Sequence, residues 1–198
     1  MSSDSQSQVY LASASPRRRE LLAQIGVPVT QISCAIDESV RPGEVALDYV
    51  QRVTREKVQA GVAAAPRGAV VIAADTAVVV ADRILGKPLD KADGLAMLAL
   101  LSGTTHQVIT AVAVARETEV QVQPVIIQVR FRSLTETEMA DYWATGEPVD
   151  KAGGYAIQGL GAVFVSHIEG SYSAVVGLPL METAQLLQQF SVPCWQMA

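Results

Sequence analysis

The 198-residue chain is short of the residues on which much enzyme chemistry rests: it has two cysteines and two histidines. Two thiols, Cys34 and Cys194, cannot build a disulfide framework and read as the reduced cysteines of a cytoplasmic protein. His106 and His167 are too few and too far apart for a zinc site. No G-x-S-x-G stretch supplies a nucleophile elbow, and no G-x-x-x-x-G-K-[ST] stretch supplies a P-loop. Excess positive charge is also missing. The net charge is -5, so no global field favours nucleic acid, and any site for a polyanion must be local. Long apolar runs are interrupted: "AVVIAADTAVVVADRIL" contains Asp75, Asp82 and Arg83 and is no membrane span. The polar start "MSSDSQSQ" lacks the apolar segment of a secretory signal and is expected to form a disordered tail over residues 1–8.

What remains is core-forming material. Hydrophobic residues make up 49% of the chain and charged ones 18%, enough for one domain over residues 9–198. "VYLAS" reads as a buried strand. Ser15 as N-cap, Pro16 at the first helical position and Leu21, Leu22 and Ile25 on one face predict a helix stopped by Gly26. "VTQISCA" predicts a second strand, and a long helix runs from Pro42 to Pro66. "GAVVIAAD" predicts a strand ending at Asp75, followed by a separate strand in "TAVVVADRILGK". "DGLAMLALLSG" is helical up to Gly103. An antiparallel pair turns around Thr118, a helix starts at a Thr135 cap, a hairpin turns at Glu169-Gly170, and a last helix begins at Pro179. The mixture predicts an α/β fold with some antiparallel pairing.

Several stretches have the residue types of a ligand site. "SASPRRREL" puts three arginines where a helix begins, although the macrodipole there is already positive, so the charge needs an anion. A strand, a tight polar turn and a helix N-terminus converge backbone N–H groups on an anion. Ser13, Ser15, Arg17 and Arg18 add donors. A solvated basic first turn explains the same letters. "AADT" puts Asp75 at the carboxyl end of a very apolar strand, where α/β sheets bind ligands; it suits metal binding or water activation, and equally a turn or a cap. Asp37 and Glu38 in "AIDESV" suit a hard cation or plain surface. "REK", ending at Lys57, reads as helix surface, while "GKP" projects the Lys87 ammonium from a rigid turn. In "DKAGGYAIQG", paired glycines allow close ligand approach, Tyr155 can stack or pack, and Gln158 either satisfies the backbone or reads an amide edge.

In this order "SASPRR", "AIDE", "REK", "AADT", "GKP", "SGTTHQVIT", "DKAGGYAIQG" and "GSYSAVVGLP" resemble the Maf family of nucleoside triphosphate pyrophosphatases, from Ser13 to Pro179. The resemblance implies a Maf/ITPase-like α/β fold with an extended mixed sheet flanked by helices, two lobes around a central cleft, and room for a homodimer. It implies hydrolysis of a nucleoside triphosphate to the monophosphate and pyrophosphate with a divalent metal cation (Mg, Mn or Co). On that likeness Asp75 is the general base, and Glu38 with Asp75 forms the metal side. Ser13, Arg17, Arg18, Lys57 and Lys87 form the phosphate side.

Members acting on 7-methylguanosine triphosphate carry tryptophan, glutamine and glutamate where this chain has Arg17, Thr76 and Gln158, so the set here resembles the dTTP/UTP subgroup. The chemistry agrees in part. A cationic methylated guanine suits a carboxylate, whereas the neutral imide edge of thymine or uracil suits an amide that donates and accepts. Two other readings stand beside it: a nucleotide-binding regulator of septum formation or cell division, and an inosine-type triphosphate pyrophosphatase. No nucleic-acid or membrane partner is expected.

Overall fold

The structure, a computed structural model, describes residues 8–195. Residues 1–7 of the expected tail, and 196–198, lie outside the described residues. In chain order the elements are β1 (Val9–Leu11), α1 (Pro16–Gln24), β2 (Val29–Gln31), α2 (Ala46–Ala64), β3 (Val70–Val80), β4 (Arg83–Leu85), α3 (Lys91–Leu101), β5 (Thr105–Arg116), β6 (Glu119–Phe131), α4 (Glu136–Ala144), β7 (Val165–Glu169), α5 (Tyr172–Val176) and α6 (Leu180–Gln189). Among the described residues the seven strands form one mixed sheet in the order β2-β1-β3-β5-β6-β7, with β4 on β3. Three 3₁₀ turns, Glu147–Asp150, Ala152–Gly154 and Leu160–Phe164, lie between α4 and β7. Among the described residues no helix is long and apolar enough to cross a membrane.

The sheet buries both faces. On one, α2 lies across the strands with Val50, Val53, Thr54, Val58 and Gly61 turned inward, the spacing of a helical stripe. Gly61 permits this approach: a Cβ there would sit 2.7 Å from Val71 Cγ1 and 2.8 Å from Ala12 Cβ. The opposite face carries the larger core, in which Leu22, Leu98, Leu101, Tyr142, Leu178 and Leu187 pack against Ile72, Val112 and Ile127.

Four expectations change. The apolar run from Val70 to Val80 is one eleven-residue strand. β5 pairs with it from Val71↔Ala115 to Val79↔Gln107, and this continuous ladder carries the chain straight through Asp75. Asp75 therefore lies in mid-strand, not at a strand end. Glu169-Gly170 does not turn a hairpin. Ser171 accepts from the Ala174 N–H and caps the short helix α5. "VTQISCA" pairs only over Val29–Gln31 because β1 offers just three residues. Ser15 occupies the N-cap of α1, but its side chain makes no cap bond; its own N–H donates to Ser13 Oγ at 3.2 Å. By contrast, the pair turning around Thr118 and the helix start at the Thr135 cap form as the sequence predicts, the cap closing into a box with Glu138.

The larger core contains one ionisable side chain with a consequence for stability. His106 is 2% exposed, shares a 2.8 Å hydrogen bond between Nε2 and the Tyr155 hydroxyl, and packs edge-on against Phe131 and Tyr155. Burial lowers its pKa to about 4 from an ordinary 6.5. Between those values the unfolded chain binds a proton that the native protein refuses. The stability this group protects is complete above pH 6.5 and is lost as pH falls toward 4, at up to about 1.4 kcal/mol per pH unit. We expect His106→Gln, which keeps a partner for Tyr155 and does not titrate, to flatten the fall in urea-unfolding free energy between pH 6.5 and 4.5 by up to about one proton. An unchanged slope contradicts the assignment.

Candidate active site

The candidate cleft begins where one strand stops short. β1 pairs with β3 only over Val70–Ile72, and β4 takes the same edge of β3 only from Val78. Between them the edge of β3 is uncovered at Asp75 and Thr76. The carboxyl end of β1 opens onto this notch, so the ligand position expected for α/β sheets belongs to β1. A cleft of roughly 680 Å³ occupies the notch. Arg17, Arg18, Lys57, Lys87 and Lys151 line it against Glu38, Asp75 and Asp150, so five cations face three carboxylates inside a chain of net charge -5. The field in the cleft is thus opposite in sign to that of the whole molecule.

The turn from β1 into α1 supplies Ser13, Arg17 and Arg18, whose two arginines differ. Three of the five N–H groups of the Arg18 guanidinium are held by the protein: Nε donates to the Gly177 carbonyl (2.9 Å), one Nη to Ser13 Oγ (3.1 Å) and the other to Thr76 Oγ1 (3.4 Å). Burial lowers its pKa, Asp75 opposes that, Arg17 reinforces it and Glu38 opposes it. Thr110, fully buried, donates to the Ala174 carbonyl at 2.8 Å. Its single proton is therefore committed, and Thr76 must be the donor in the 3.0 Å Thr76–Thr110 contact. A directed chain, Arg18 to Thr76 to Thr110 to Ala174, ties α1, β3, β5 and α5 together. Arg17 has no such partners, and its Nε is buried and unbonded among the described residues.

The acidic side is organised by Lys57. Its Nζ donates to Asp75 Oδ1 at 2.7 Å and to Glu38 Oε2 at 2.9 Å, with the lysine side chain 12% exposed. The helix-surface reading of "REK" fails for this residue because Asp75, on the α2 face of β3, needs a counter-charge. The cation meant for the phosphate side therefore sits on the carboxylates. The loop carrying Glu38 is fastened to the same helix face: the Tyr49 hydroxyl donates to the Glu38 carbonyl (3.1 Å) and Arg52 to the Ser39 carbonyl (2.9 Å). Burial, with Asp75 and Glu38 nearby, raises the Tyr49 pKa to about 12, which keeps the hydroxyl a donor. Asp37 turns away and accepts from the Ser39 N–H.

The facing wall comes from the β4–α3 turn and the 3₁₀ region. Lys87 is exposed at the cleft and makes no hydrogen bond among the described residues. Asp150 and Lys151 form an ion pair beside it. Tyr155 does not stand open as a stacking platform; it is 6% exposed and bonded to His106. Gln158 lines the cleft, is exposed, and its amide has no hydrogen-bond partner among the described residues. The backbone-satisfying role open to it in the sequence is therefore not the one it takes. Sequence reasoning missed Tyr49, Thr110 and Lys151. Lys151 and Thr110 lay in quoted motifs, "DKAGGYAIQG" and "SGTTHQVIT", without being singled out, whereas Tyr49 carries no local signal.

Among the described residues no three His, Cys, Asp or Glu side chains come together as a metal cage. The donors present still fit a hard cation of the Mg²⁺ type, which takes one or two carboxylates and completes its shell with water and phosphate oxygens. Lys57 uses one oxygen of each of Glu38 and Asp75. Asp75 Oδ2 and Glu38 Oε1 have no hydrogen bond among the described residues.

Comparison with known proteins narrows the chemistry. The family model described as Maf-like protein matches residues 8–190. A dTTP/UTP pyrophosphatase of Saccharophagus degradans is 54% identical over 98% of this chain and 93% of its own length. Proteins of the same name from Pseudoalteromonas translucida (55% identical, 92% of this chain and 96% of that one) and Alcanivorax borkumensis (52%, 95% and 98%) are similarly close. A solved nucleoside-triphosphatase, dITP/XTP pyrophosphatase, from Mycobacterium abscessus superposes with a TM-score of 0.46 at 15% identity, over 93% of this chain and 94% of that one.

The two adjacent arginines give a test of which cation is free for a ligand. Arg18→Ala removes three hydrogen bonds from a charged donor and is expected to lower unfolding free energy by about 2–4 kcal/mol. Arg17→Ala removes a side chain whose buried Nε is unsatisfied, and is expected to stay within about 0.5 kcal/mol of the parent, yet to weaken the stabilisation by added inorganic tripolyphosphate. Urea unfolding with and without tripolyphosphate measures both. Equal destabilisation by the two variants contradicts the distinction.

Proposed function

The chain belongs to the Maf family, and on that premise we propose that it hydrolyses dTTP and UTP to the nucleoside monophosphate and pyrophosphate. The observation that carries this reading is the cleft itself. Net positive charge surrounds the turn at Ser13, a paired carboxylate site stands across from it, and an unbonded amide lies in the same space.

A triphosphate carries about four negative charges, so cations must offset them before water can approach phosphorus. Ser13, Arg17 and Lys87 hold the phosphate oxygens. Arg18 sets the turn from beneath and adds its charge. Glu38 and Asp75 would hold a divalent cation (Mg, Mn or Co), which when bound supplies charge neutralisation at the phosphate. Asp75 accepts the proton of the attacking water. A bond forms between the water oxygen and the α-phosphorus, the bridging bond to the β-phosphate breaks, and pyrophosphate leaves with its charge offset by the cationic wall. Lys57 donates to Asp75 Oδ1 and holds the carboxylate in place at the notch. Gln158 accepts from the imide N–H of the base and donates to one of its carbonyls. Thr76 lies at the same notch with its hydroxyl committed to Thr110.

Pyrophosphate release from dTTP, UTP, ITP and 7-methylguanosine triphosphate, each in Mg²⁺, Mn²⁺ and Co²⁺, tests the reading. Preference for ITP supports an inosine-type enzyme, and nucleotide binding without turnover supports a regulator. Asp75→Asn preserves size and removes the proton acceptor, so kcat is expected to fall at least about 10²-fold with nucleotide binding retained. Near-parental turnover by the folded variant defeats the assignment. In the same panel Gln158→Glu replaces a donor with an anion facing a base carbonyl. It is expected to reduce kcat/KM for dTTP and UTP by about ten- to a hundredfold and to shift relative preference toward 7-methylguanosine triphosphate. An equal fall on every nucleotide removes Gln158 from base recognition.

A further inference from the structure

The turn that carries Gln158 has little apolar burial to hold it. Between Ala156 and Gly161 the one buried side chain is Ile157, while Gln158, Gly159 and Leu160 are exposed. What holds it is a polar clamp reaching over from α4 and the turn that follows. One carboxylate oxygen of Glu147 accepts from the Leu160 N–H at 2.9 Å. The other accepts from the Gly161 N–H at 3.0 Å and from the Tyr142 hydroxyl at 2.6 Å. The same Tyr142 hydroxyl accepts from the Ala156 N–H at 3.1 Å. Backbone groups on both sides of Gln158 are therefore fixed by two side chains, neither of which lines the cleft.

The two glycines of the turn answer to this clamp. A Cβ on Gly159 would collide with the Glu147 carboxylate, and one on Gly161 would sit 2.8 Å from the Tyr142 hydroxyl oxygen and 3.0 Å from the Ala156 carbonyl oxygen. Burial works against ionising Glu147, but its hydrogen bonds from Tyr142, Leu160 and Gly161 outweigh that and bring its pKa below the ordinary glutamate value. Burial and the bond to Glu147 both push the Tyr142 pKa up, so its hydroxyl stays a donor.

We propose that Glu147 and Tyr142 are positioning residues for nucleobase selection: they act through the backbone of the 156–161 turn to present the Gln158 amide at one fixed place in the cleft. The proposal rests on the base-reading role given to Gln158 above. An amide on an exposed turn reads a base edge only if the turn is still, because hydrogen-bond geometry decays over a few tenths of an ångström and steeply with angle. A glutamine at 147 offers a single carbonyl and turns an N–H toward donors, so the clamp cannot be satisfied.

A double-mutant cycle tests this. Glu147→Gln alone is expected to raise KM for dTTP and UTP about tenfold with kcat nearly retained. Competitive inhibition by inorganic tripolyphosphate, which has no base, should stay within twofold. Tyr142→Phe, which removes one hydroxyl and keeps the ring, is expected to move the same quantities in the same direction by a smaller factor, and it carries the test if Glu147→Gln does not fold. In the Gln158→Ala background either clamp substitution should add less than twofold. A further tenfold loss in that background overturns the proposal, as does weakened tripolyphosphate inhibition, since both would mean that the clamp supports the whole cleft. If Gln158→Ala itself leaves dTTP and UTP kinetics unchanged, the base-reading role has failed and the clamp falls with it. If Gln158→Ala weakens both substrates and neither clamp variant does, the clamp alone is wrong.

Discussion

One ammonium group between two carboxylates sets the geometry of this protein. Asp75 lies in mid-strand on a face otherwise lined by alanine and valine, and an unpaired carboxylate there would carry a heavy desolvation penalty. Lys57 answers it from α2 at 2.7 Å, and this contact works only if the helix lies across β3 at one height. Gly61, one turn further on, lets the helix come close enough to the sheet to keep that height. The same ammonium reaches Glu38, and Tyr49 and Arg52 on the same helix fasten the loop that carries it. A structural counter-ion and the arrangement of the acidic site are thus one feature.

The basic side is built by a different device. Its rigidity comes from a chain of hydrogen bonds whose direction is forced, because Thr110 has one proton and gives it to Ala174. Arg18 anchors that chain with three of its five N–H groups, while Arg17 beside it makes no hydrogen bond among the described residues. Neighbouring residues of one type therefore divide between holding the turn and meeting a ligand. The acidic chain as a whole would repel a triphosphate, so attraction depends on this local excess of cations.

The two walls of the cleft are secured independently. α2 and the Arg18 chain hold the side to which we assign the phosphate chemistry, and Glu147 with Tyr142 holds the turn of Gln158. In our reading this separation lets selection among bases vary without disturbing the reacting phosphate, since the two supports share no residue.

Much of this was legible in the letters. The Thr135 cap, the turn at Thr118 and the Ser-Pro-Arg start of α1 are local signals, set by capping and dihedral preference. By itself the sequence determined an α/β chain with a basic strand–turn–helix, and its ordered motifs pointed to a triphosphate. Tertiary structure alone decided that Asp75 sits in mid-strand, because strand length is set by the β5 ladder and not by the polarity of one residue. It also decided that Lys57 faces two carboxylates, that Arg18 is committed and Arg17 is not, and that Gln158 lies free in the cleft. These are contacts between residues far apart in the chain, such as Arg18 with Gly177 and Lys57 with Asp75. No local pattern encodes them, because each exists only once the packing of helices on the sheet has brought its partners together.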